Sequence, residues 1–326
     1  GSLLPDPEVV KAIKSLDKES ALYKMDTLMA VRTGMAVFPP IDPALRPDNC
    51  GTYTEDISLV DYPWKLFSLN GAEIEADLKR LSDGRKSAEL SPTINLIGSG
   101  EVFVEPGFRG EHFTLNTTNG PVYLGRDSEI MEGSVIRGPF ALCRESVVKL
   151  GAKIYGPTTI GPKSKVGGEL NNVVIHSNSN KAHDGFLGNA VIGEWCNLGA
   201  DTNNSNLKNN YSEVKIWNYP KKRFIKTGLQ FCGLIMGDHS KCGINTMFNT
   251  GTVVGVSANI FGSGFPRNFI PSFSWGGAGG FSTYRMDKVV ETISLVLERR
   301  GSSLSEVDRD ILQHIFEQTE GFRKWN

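Results

Sequence analysis

Residues 124–166 read LGRDSE-IMEGSV-IRGPFA-LCRESV-VKLGAK-IYGPTT-IGPKSK-V. Every block of six opens with an aliphatic residue, from Leu124 to Val166. The fifth residue of a block is small in most cases, as in Ser128 and Ser134. The same interval returns further along the chain, at Phe186, Ile192, Leu198, Met236, Cys242, Phe248, Val254 and Ile260.

An aliphatic residue at every sixth position excludes an α-helix, because 3.6 residues per turn would spread those side chains around the whole surface. A coil of short strands uses the interval directly, since each aliphatic side chain points inward at the same place and successive coils stack. Hexapeptide repeats are typical of a parallel β-helix. The sequence therefore predicts a mainly β fold, with the coil over residues 96–270.

The composition limits the class of protein. The chain has 326 residues, enough for two or three domains and a sizeable core. A net charge of −1 gives no global field favouring nucleic acid or an anionic membrane. The sequence contains no apolar run of about 18 residues and no basic-then-apolar leader. We therefore expect a cytoplasmic protein without nucleic-acid or membrane partners.

The cysteine pattern agrees with that location. The number of cysteines is odd, and none forms a C-x-x-C pair. Cys196 and Cys242 fall on repeat positions, so packed free thiols are predicted rather than disulfides.

The first 95 residues lack the repeat and are predicted as a separate domain of α/β type. A helix is expected to begin at Asp6 and Pro7, because aspartate caps helices well and proline favours the first turn. A strand is expected within 28–31 and a second helix over 72–81.

Residues 271–326 are predicted as a C-terminal helical extension. Its last helix is expected to open with a capping box formed by Ser303 and Glu306. The chain starts with Gly-Ser and no Met, which indicates a fragment or a cloning scar.

The repeat is interrupted twice, at Asn171–Gly185 and at Thr202–Ile235. Segments that leave a regular scaffold often carry function. The second interruption contains Lys221, Lys222 and Arg223 among aromatic residues. Such a charge run is commonly a solvated loop tip, but its position within the repeat favours a role in binding an anion.

Most of the candidate chemistry lies in residues 180–193, which read NKAHDGFLGNAVIG. His183 stands where the repeat resumes, and an asparagine cluster follows within two coils. In a coil of about 18 residues, positions one coil apart stack at about 4.8 Å, so Asn197 and Asn206 are expected near His183. A stacked asparagine ladder or left-handed turn residues would also explain the cluster. The other four histidines are expected to be structural or solvated.

The repeat and the residues around His183 resemble those of a known enzyme family. The repeat, His183 with the following DGFLGNAVIG, and Asn197 with Asn206 resemble the family of bifunctional N-acetylglucosamine-1-phosphate uridylyltransferases and glucosamine-1-phosphate N-acetyltransferases. The similarity is greatest to a divergent Bacteroidetes-type branch and covers residues from about 120 to 265. It implies a left-handed β-helix, a homotrimer and acetyl-CoA as cosubstrate. It also implies N-acetylation of an amino-sugar phosphate, glucosamine-1-phosphate, in UDP-N-acetylglucosamine biosynthesis.

The resemblance also implies residue roles. His183 matches the general base and Asn206 the residue that orients the amine and the base. Asn197 matches a sugar-phosphate contact, whereas Ala200 and Gly262 match positions that line the acetyl-CoA site.

Three positions depart from the family pattern. Phe186 stands where the family has a tyrosine, and Asn171 and Ser212 stand where it has phosphate-binding lysines. Substrate contacts are therefore expected from Phe186 and Asn171. The missing charge would come from Lys181 or from one of the following cations: Lys208, Lys215 and the loop Lys221–Arg223.

In the resembled enzymes a nucleotidyltransferase domain precedes the coil. Residues 1–95 are accordingly interpreted as the latter part of such a domain, or as a domain that has lost that activity, because they contain no glycine-rich nucleotide loop. Mg²⁺ would be required only if nucleotidyl transfer is retained. Asp26 and Asp56 are candidate ligands, although isolated aspartates are usually solvated.

Three alternatives stay open at this stage. The chain could be a sugar-1-phosphate nucleotidyltransferase whose coil serves oligomerisation or ligand sensing. The coil could also be a scaffold without enzymatic activity. A metal site of the carbonic-anhydrase type would need three converging histidines, and His176 and His183 have no third partner at an obvious coil spacing. No metal site is therefore predicted in the coil.

Overall fold

The computed structural model describes residues 2–34 and 49–325. It divides the chain into two compact units, Gly1–Pro63 and Trp64–Asn326. The predicted domain boundary near residue 95 thus lies within the second unit. No helix in the described part of the chain is both long and apolar enough to cross a bilayer.

The first unit is a small α/β arrangement. Helix α1 (Pro7–Lys14) begins where predicted, with an Asp6 carboxylate oxygen accepting a hydrogen bond of 2.8 Å from the Val9 N–H. The central strand of its three-stranded sheet pairs with one antiparallel and one parallel neighbour. The strands of this unit are Leu3–Leu4, Ser20–Lys24, Thr27–Arg32, Cys50–Thr52 and Ser58–Leu59.

The second unit contains the predicted parallel β-helix. Its strands lie on three faces that the chain visits in turn, and most strands pair in parallel with the strand one coil later. Leu124 pairs with Leu142, and Leu142 with Ile160, which reproduces three hexapeptides per coil. The inward aliphatic side chains are buried and form one continuous core.

The three faces are defined by their strands. Face 1 contains Val102–Val104, Val122–Leu124, Phe140–Leu142, Thr158–Ile160, Leu234–Met236, Thr252–Val254 and Phe269–Ile270. Face 2 contains Arg109–Gly110, Glu129–Ile130, Val147–Val148, Lys165–Val166, Asn180–Lys181, Asn197–Leu198, Lys241–Cys242, Asn259–Ile260, Ser274–Gly277 and the antiparallel Gly280–Thr283. Face 3 contains Asn95–Ile97, Thr114–Asn116, Val135–Arg137, Lys153–Tyr155, Asn203–Asn204 and Met247–Phe248. Two longer strands, Glu169–Ile175 and Phe186–Ile192, run from face 3 into face 1.

The small residues of the repeat also have a physical role. The hydroxyls of Ser128, Ser146 and Ser164 are buried, and each donates to a backbone carbonyl at a corner, over 2.6, 2.7 and 2.8 Å. The residues are fully buried, so the space is small, and each hydroxyl places its own hydrogen bond on a corner carbonyl.

The first predicted interruption, Asn171–Gly185, does not leave the coil. The six-residue interval fails there because two successive corners shorten: Gly167 and Gly168 alone connect face 2 to face 3, and the corner from face 3 to face 1 turns at Asn172, with φ 56°. The second interruption does leave it. An antiparallel hairpin of Lys215–Asn218 and Arg223–Lys226 folds back, and Trp217 stacks on Phe269 of face 1 at 4.2 Å.

The helices of the second unit pack along the sides of the coil. Helix α2 (Lys65–Ser82) is longer than the predicted 72–81, and its Asn70 Oδ1 accepts from the Thr159 hydroxyl of face 1 at 2.7 Å. Helices α3 (Met286–Glu298) and α4 (Glu306–Gln318) and the 3-10 turn Glu320–Phe322 follow the last coil.

The predicted capping box at Ser303 and Glu306 is wrong by two residues. Ser305 caps α4, and its partner is Asp308, because the short carboxylate reaches the backbone N–H of Ser305 at 3.1 Å.

The cysteine prediction is confirmed for the interior of the coil. None of the five cysteines forms a disulfide, and Cys196, Cys232 and Cys242 are buried. Burial raises the pKa of Cys196 and Cys232 to about 12, which leaves these thiols unreactive.

One charged side chain lies among the inward aliphatic residues of face 2. Lys181 is in register with Val166 and is 1% exposed. Its ammonium donates to the carbonyl oxygens of Gly167, His183 and Asp184 at 3.4, 2.5 and 2.9 Å. Burial lowers its pKa from 10.5 to about 8, against smaller opposing effects of Asp184, Cys242 and Asp201.

The core assignment predicts a contrast between two positions on neighbouring strands of face 3. Ile154→Ala should lower the free energy of unfolding by about 2–5 kcal/mol, because a buried side chain is lost from a filled coil. The matched change Val135→Ala removes a side chain that is 47% exposed on the same face and should cost well under 1 kcal/mol. Urea unfolding followed by circular dichroism measures both values, and equal losses would refute the inward assignment.

The buried ammonium predicts a dependence of stability on pH. Between about pH 8 and pH 10.5 the unfolded chain binds more protons than the folded chain, so wild-type stability should rise with pH. Lys181→Met should be the more stable protein at pH 7, and its advantage of up to about 3 kcal/mol should shrink by pH 9.5. Lys165→Met, which removes an exposed lysine of the preceding coil, controls for the loss of a charge. An advantage that stays constant with pH would contradict the buried, protonated lysine.

Candidate functional site

The corner between faces 2 and 3 brings together three of the predicted site residues. Asn180, Asn197, Lys241 and Asn259 are in register on face 2. The residues three positions after each of them therefore form a column along the corner, one coil apart: His183, Ala200, Ile244 and Gly262. Successive members are about 4.8 Å apart along the stacking direction.

Hydrogen bonds hold two neighbouring corners of this column together. The Asp201 N–H donates to the Asp184 carbonyl at 3.0 Å, which sets Ala200 one coil away from His183. The N–H of Ala200 donates to no residue within 2–34 or 49–325.

The far part of the column is apolar and open. Ile244 is 70% exposed, and Phe261 and Phe265 are 43% and 55% exposed. Gly262 has φ +98°, and a Cβ placed there would meet no atom within 4 Å. Ala200 and Gly262 were predicted from the sequence, but Ile244 was missed. It could have been noticed as an aliphatic residue at a position that does not point inward, two residues after the inward Cys242.

The outer surface of face 3 brings together a second group of predicted residues. Asn171 is in register with Gly188 of the next coil, and Gly188 lies two residues after Phe186 in the same strand. A Cβ on Gly188 would lie 2.5 Å from Phe186 Cζ and 2.7 Å from Asn206 Nδ2, so both side chains converge over that glycine. Asn206 Nδ2 donates to Asn189 Oδ1 at 2.8 Å. His183 lies at the corner where this surface begins.

Asn197 is placed differently. It is exposed on face 2, and its Oδ1 lies 3.5 Å from Asn180 Nδ2, as in an asparagine ladder. The structure does not bring Asn197 onto face 3.

Two further asparagines of the cluster have structural roles. Asn203 Oδ1 accepts from the Phe186 N–H at 2.7 Å, and the buried Asn204 amide bonds both backbone groups of Gly188. Left-handed turns do not explain the cluster, because Asn197, Asn203, Asn204 and Asn206 all lack a positive φ.

The predicted sources of positive charge are dispersed. The ammonium of Lys181 points into the coil and has no surface toward a ligand. Lys208 Nζ donates to the Glu213 carbonyl at 2.9 Å, and the hairpin loop Lys221–Arg223 belongs to a hairpin that packs on face 1. Sequence reasoning missed Lys153, which is exposed on face 3 and in register with Glu169, the neighbour of Phe186.

Two carboxylates complete the corner. Asp184 and Asp201 are exposed and lie one coil apart beside His183 and Ala200. Within 2–34 and 49–325, no three histidine, cysteine or acidic side chains are grouped so as to hold a metal ion. In the first unit, Asp56 is fully exposed and its Oδ1 is 3.5 Å from Lys24 Nζ, which does not make a Mg²⁺ site.

Comparison with known proteins adds two results from sequence. Residues 1–86 match the model of the sugar nucleotidyl transferase family. A bifunctional sugar-1-phosphate nucleotidylyltransferase/acetyltransferase of Sulfurisphaera tokodaii is 38% identical over 144 residues, which are 44% of this chain and 35% of that protein. The bifunctional protein GlmU of Methanocaldococcus jannaschii is 36% identical over 87 residues, 27% of this chain and 21% of that protein. The chain thus spans about a third or less of the length of these relatives.

Solved structures give a likeness of fold alone. The UDP-N-acetylglucosamine acyltransferase of Francisella novicida has a TM-score of 0.38 at 11% identity, covering 71% of this chain and 85% of that one. The Bacteroides fragilis enzyme has a TM-score of 0.28 at 15% identity, covering 72% and 92%. From its sequence matches, the chain is similar to the bifunctional sugar-1-phosphate nucleotidylyltransferase/acetyltransferases, as its repeat and the residues around His183 predict.

Proposed function

We propose that the coil transfers an acetyl group from acetyl-CoA to the amine of an amino-sugar phosphate, with glucosamine-1-phosphate as the first substrate to test. The observation that carries this proposal is the corner column, in which an exposed histidine lies one coil from a free backbone N–H. The similarity to bifunctional transferases supports the same reaction class.

His183 would act as the general base. The ammonium of an amino sugar must lose a proton before its nitrogen can attack a thioester, and imidazole is suited to accept that proton near neutral pH. Asp184 and Asp201 provide negative charge at the same corner, which would attract the ammonium before it is deprotonated. Asn206 would orient the amine from the opposite end of face 3.

The Ala200 N–H would stabilise the tetrahedral intermediate. Attack of the amine on the thioester carbonyl places a negative charge on oxygen, and a fixed backbone donor lowers the energy of that state. Collapse of the intermediate expels the CoA thiolate. The apolar stretch formed by Ile244 and Gly262 would hold the pantetheine arm of acetyl-CoA along the corner.

The sugar would lie on the outer surface of face 3. The ring of Phe186 offers an apolar face for the sugar's C–H groups, and Asn171 offers hydrogen bonds to its hydroxyls. Lys153 would supply charge for the phosphate. We retain a homotrimer as the assembly, since a corner site would gain depth from a neighbouring subunit.

Nucleotidyl transfer is a second candidate activity, because residues 1–86 match the sugar nucleotidyl transferase model. Release of pyrophosphate from UTP and a sugar-1-phosphate would support it. The described residues offer no cluster suited to Mg²⁺, so no catalytic step is derived for this unit.

The base assignment predicts the loss of one activity. His183→Ala should lower kcat for acetylation of glucosamine-1-phosphate by about 10²–10⁴-fold, because proton removal would fall to water. Release of CoA, followed with a thiol reagent, measures the rate. His176→Ala removes an exposed histidine from an earlier corner of the same coil and should leave the rate unchanged. Full activity in His183→Ala would refute the proposal.

The placement of the phosphate predicts a change in KM. Lys153→Ala should raise KM for the sugar phosphate about tenfold without changing KM for acetyl-CoA, because one charge-assisted hydrogen bond is lost. Steady-state kinetics with each substrate varied in turn measure both constants. Lys165→Ala, on face 2, is the matched control. If that control alone raised KM, the phosphate would lie on face 2 instead.

A further inference from the structure

The inward side chains of face 2 form a column that a charged residue interrupts once. The column runs through Ile130, Val148, Val166, Lys181, Leu198, Cys242 and Ile260, as the register of the strands requires. An aliphatic residue would fill this position without a buried charge. No acidic side chain forms an ion pair with Lys181 in the described ranges, so attraction to a partner does not repay the cost of burial.

The Lys181 ammonium contacts the bend formed by residues 182–185, which carries His183. Two of its three acceptors are the carbonyl oxygens of His183 and Asp184, at 2.5 and 2.9 Å. The third is the carbonyl oxygen of Gly167, at 3.4 Å in the preceding coil. The side chain therefore ties the bend to the coil beneath it from the inside.

The bend needs such a tie because the corner below it is short. Only Gly167 and Gly168 connect Val166 to Glu169, whereas 182–185 connect Lys181 to Phe186. The longer corner therefore has two more residues than the corner against which it packs. The Lys181 ammonium occupies the interior at this mismatch and binds carbonyl groups there.

We propose that Lys181 is a positioning residue, whose ammonium fixes from inside the coil the bend that presents His183 to the substrate. The inference rests on the proposed role of His183 as the base. It assigns Lys181 a purpose other than stability, since an aliphatic residue would serve stability better.

Two variants test this role with two readouts. Lys181→Met fills the column without an ammonium, and Lys181→Gln keeps a donor without the charge. We expect Lys181→Met to retain or gain thermal stability while kcat falls about 10–100-fold, because small displacements of a catalytic group are costly. Lys181→Gln should lie between wild type and Lys181→Met. Leu198→Met, the next position of the column, is the matched control and should keep wild-type kcat.

The second readout does not depend on catalysis. Hydrogen exchange of the Asp201 amide, which donates to the Asp184 carbonyl, should quicken about tenfold in Lys181→Met and stay unchanged in Leu198→Met. Faster exchange together with a lower kcat supports the proposal, and any result in which only one of them changes overturns it. If the wild type acetylates no amino-sugar phosphate, the proposed function fails, and exchange alone decides whether Lys181 holds the bend.

Discussion

The parallel backbone ladder between successive coils is the constraint on which the rest of the structure depends. Each strand is only two to seven residues long and is stable only because it pairs with strands above and below. The ladder makes sequence distance predictable in space, since residues one coil apart stack directly. The column of His183, Ala200, Ile244 and Gly262 is a consequence of that register, with no local motif linking its members.

Much of the fold followed from the sequence, because the interval of six is imposed by the geometry of the coil itself. The inward aliphatic residues of the regular repeat could be predicted, and so could a segment within 202–235 that leaves the coil. The shortened corner at Asn172 could not, since a strand that continues between two faces lacks a distinct turn signal. The cap at Ser305 was missed because serine occupies three of the four positions 302–305, and choosing among them requires the backbone.

The site shows where sequence reasoning stops. The separation of Gly262 from His183 hides their alignment, because the loop after Asn204 adds residues to one coil only. Lys181 was predicted to contact the substrate phosphate because it is charged. Its strand pairs so that Lys181 stacks on the inward Val166, and its side chain is therefore buried in the coil. Lys153 precedes His183 by 30 residues, and only the pairing of strands places it on the face that bears Phe186.

The proposed reaction requires the corner of faces 2 and 3 to bind coenzyme A. Hydrogen exchange of the chain with and without coenzyme A would show this binding, because exchange reports protection residue by residue. We expect slower exchange of the amides around Ala200, Ile244 and Gly262, and no change in the hairpin Lys215–Lys226. Protection confined to that hairpin, with the corner unaffected, would contradict it.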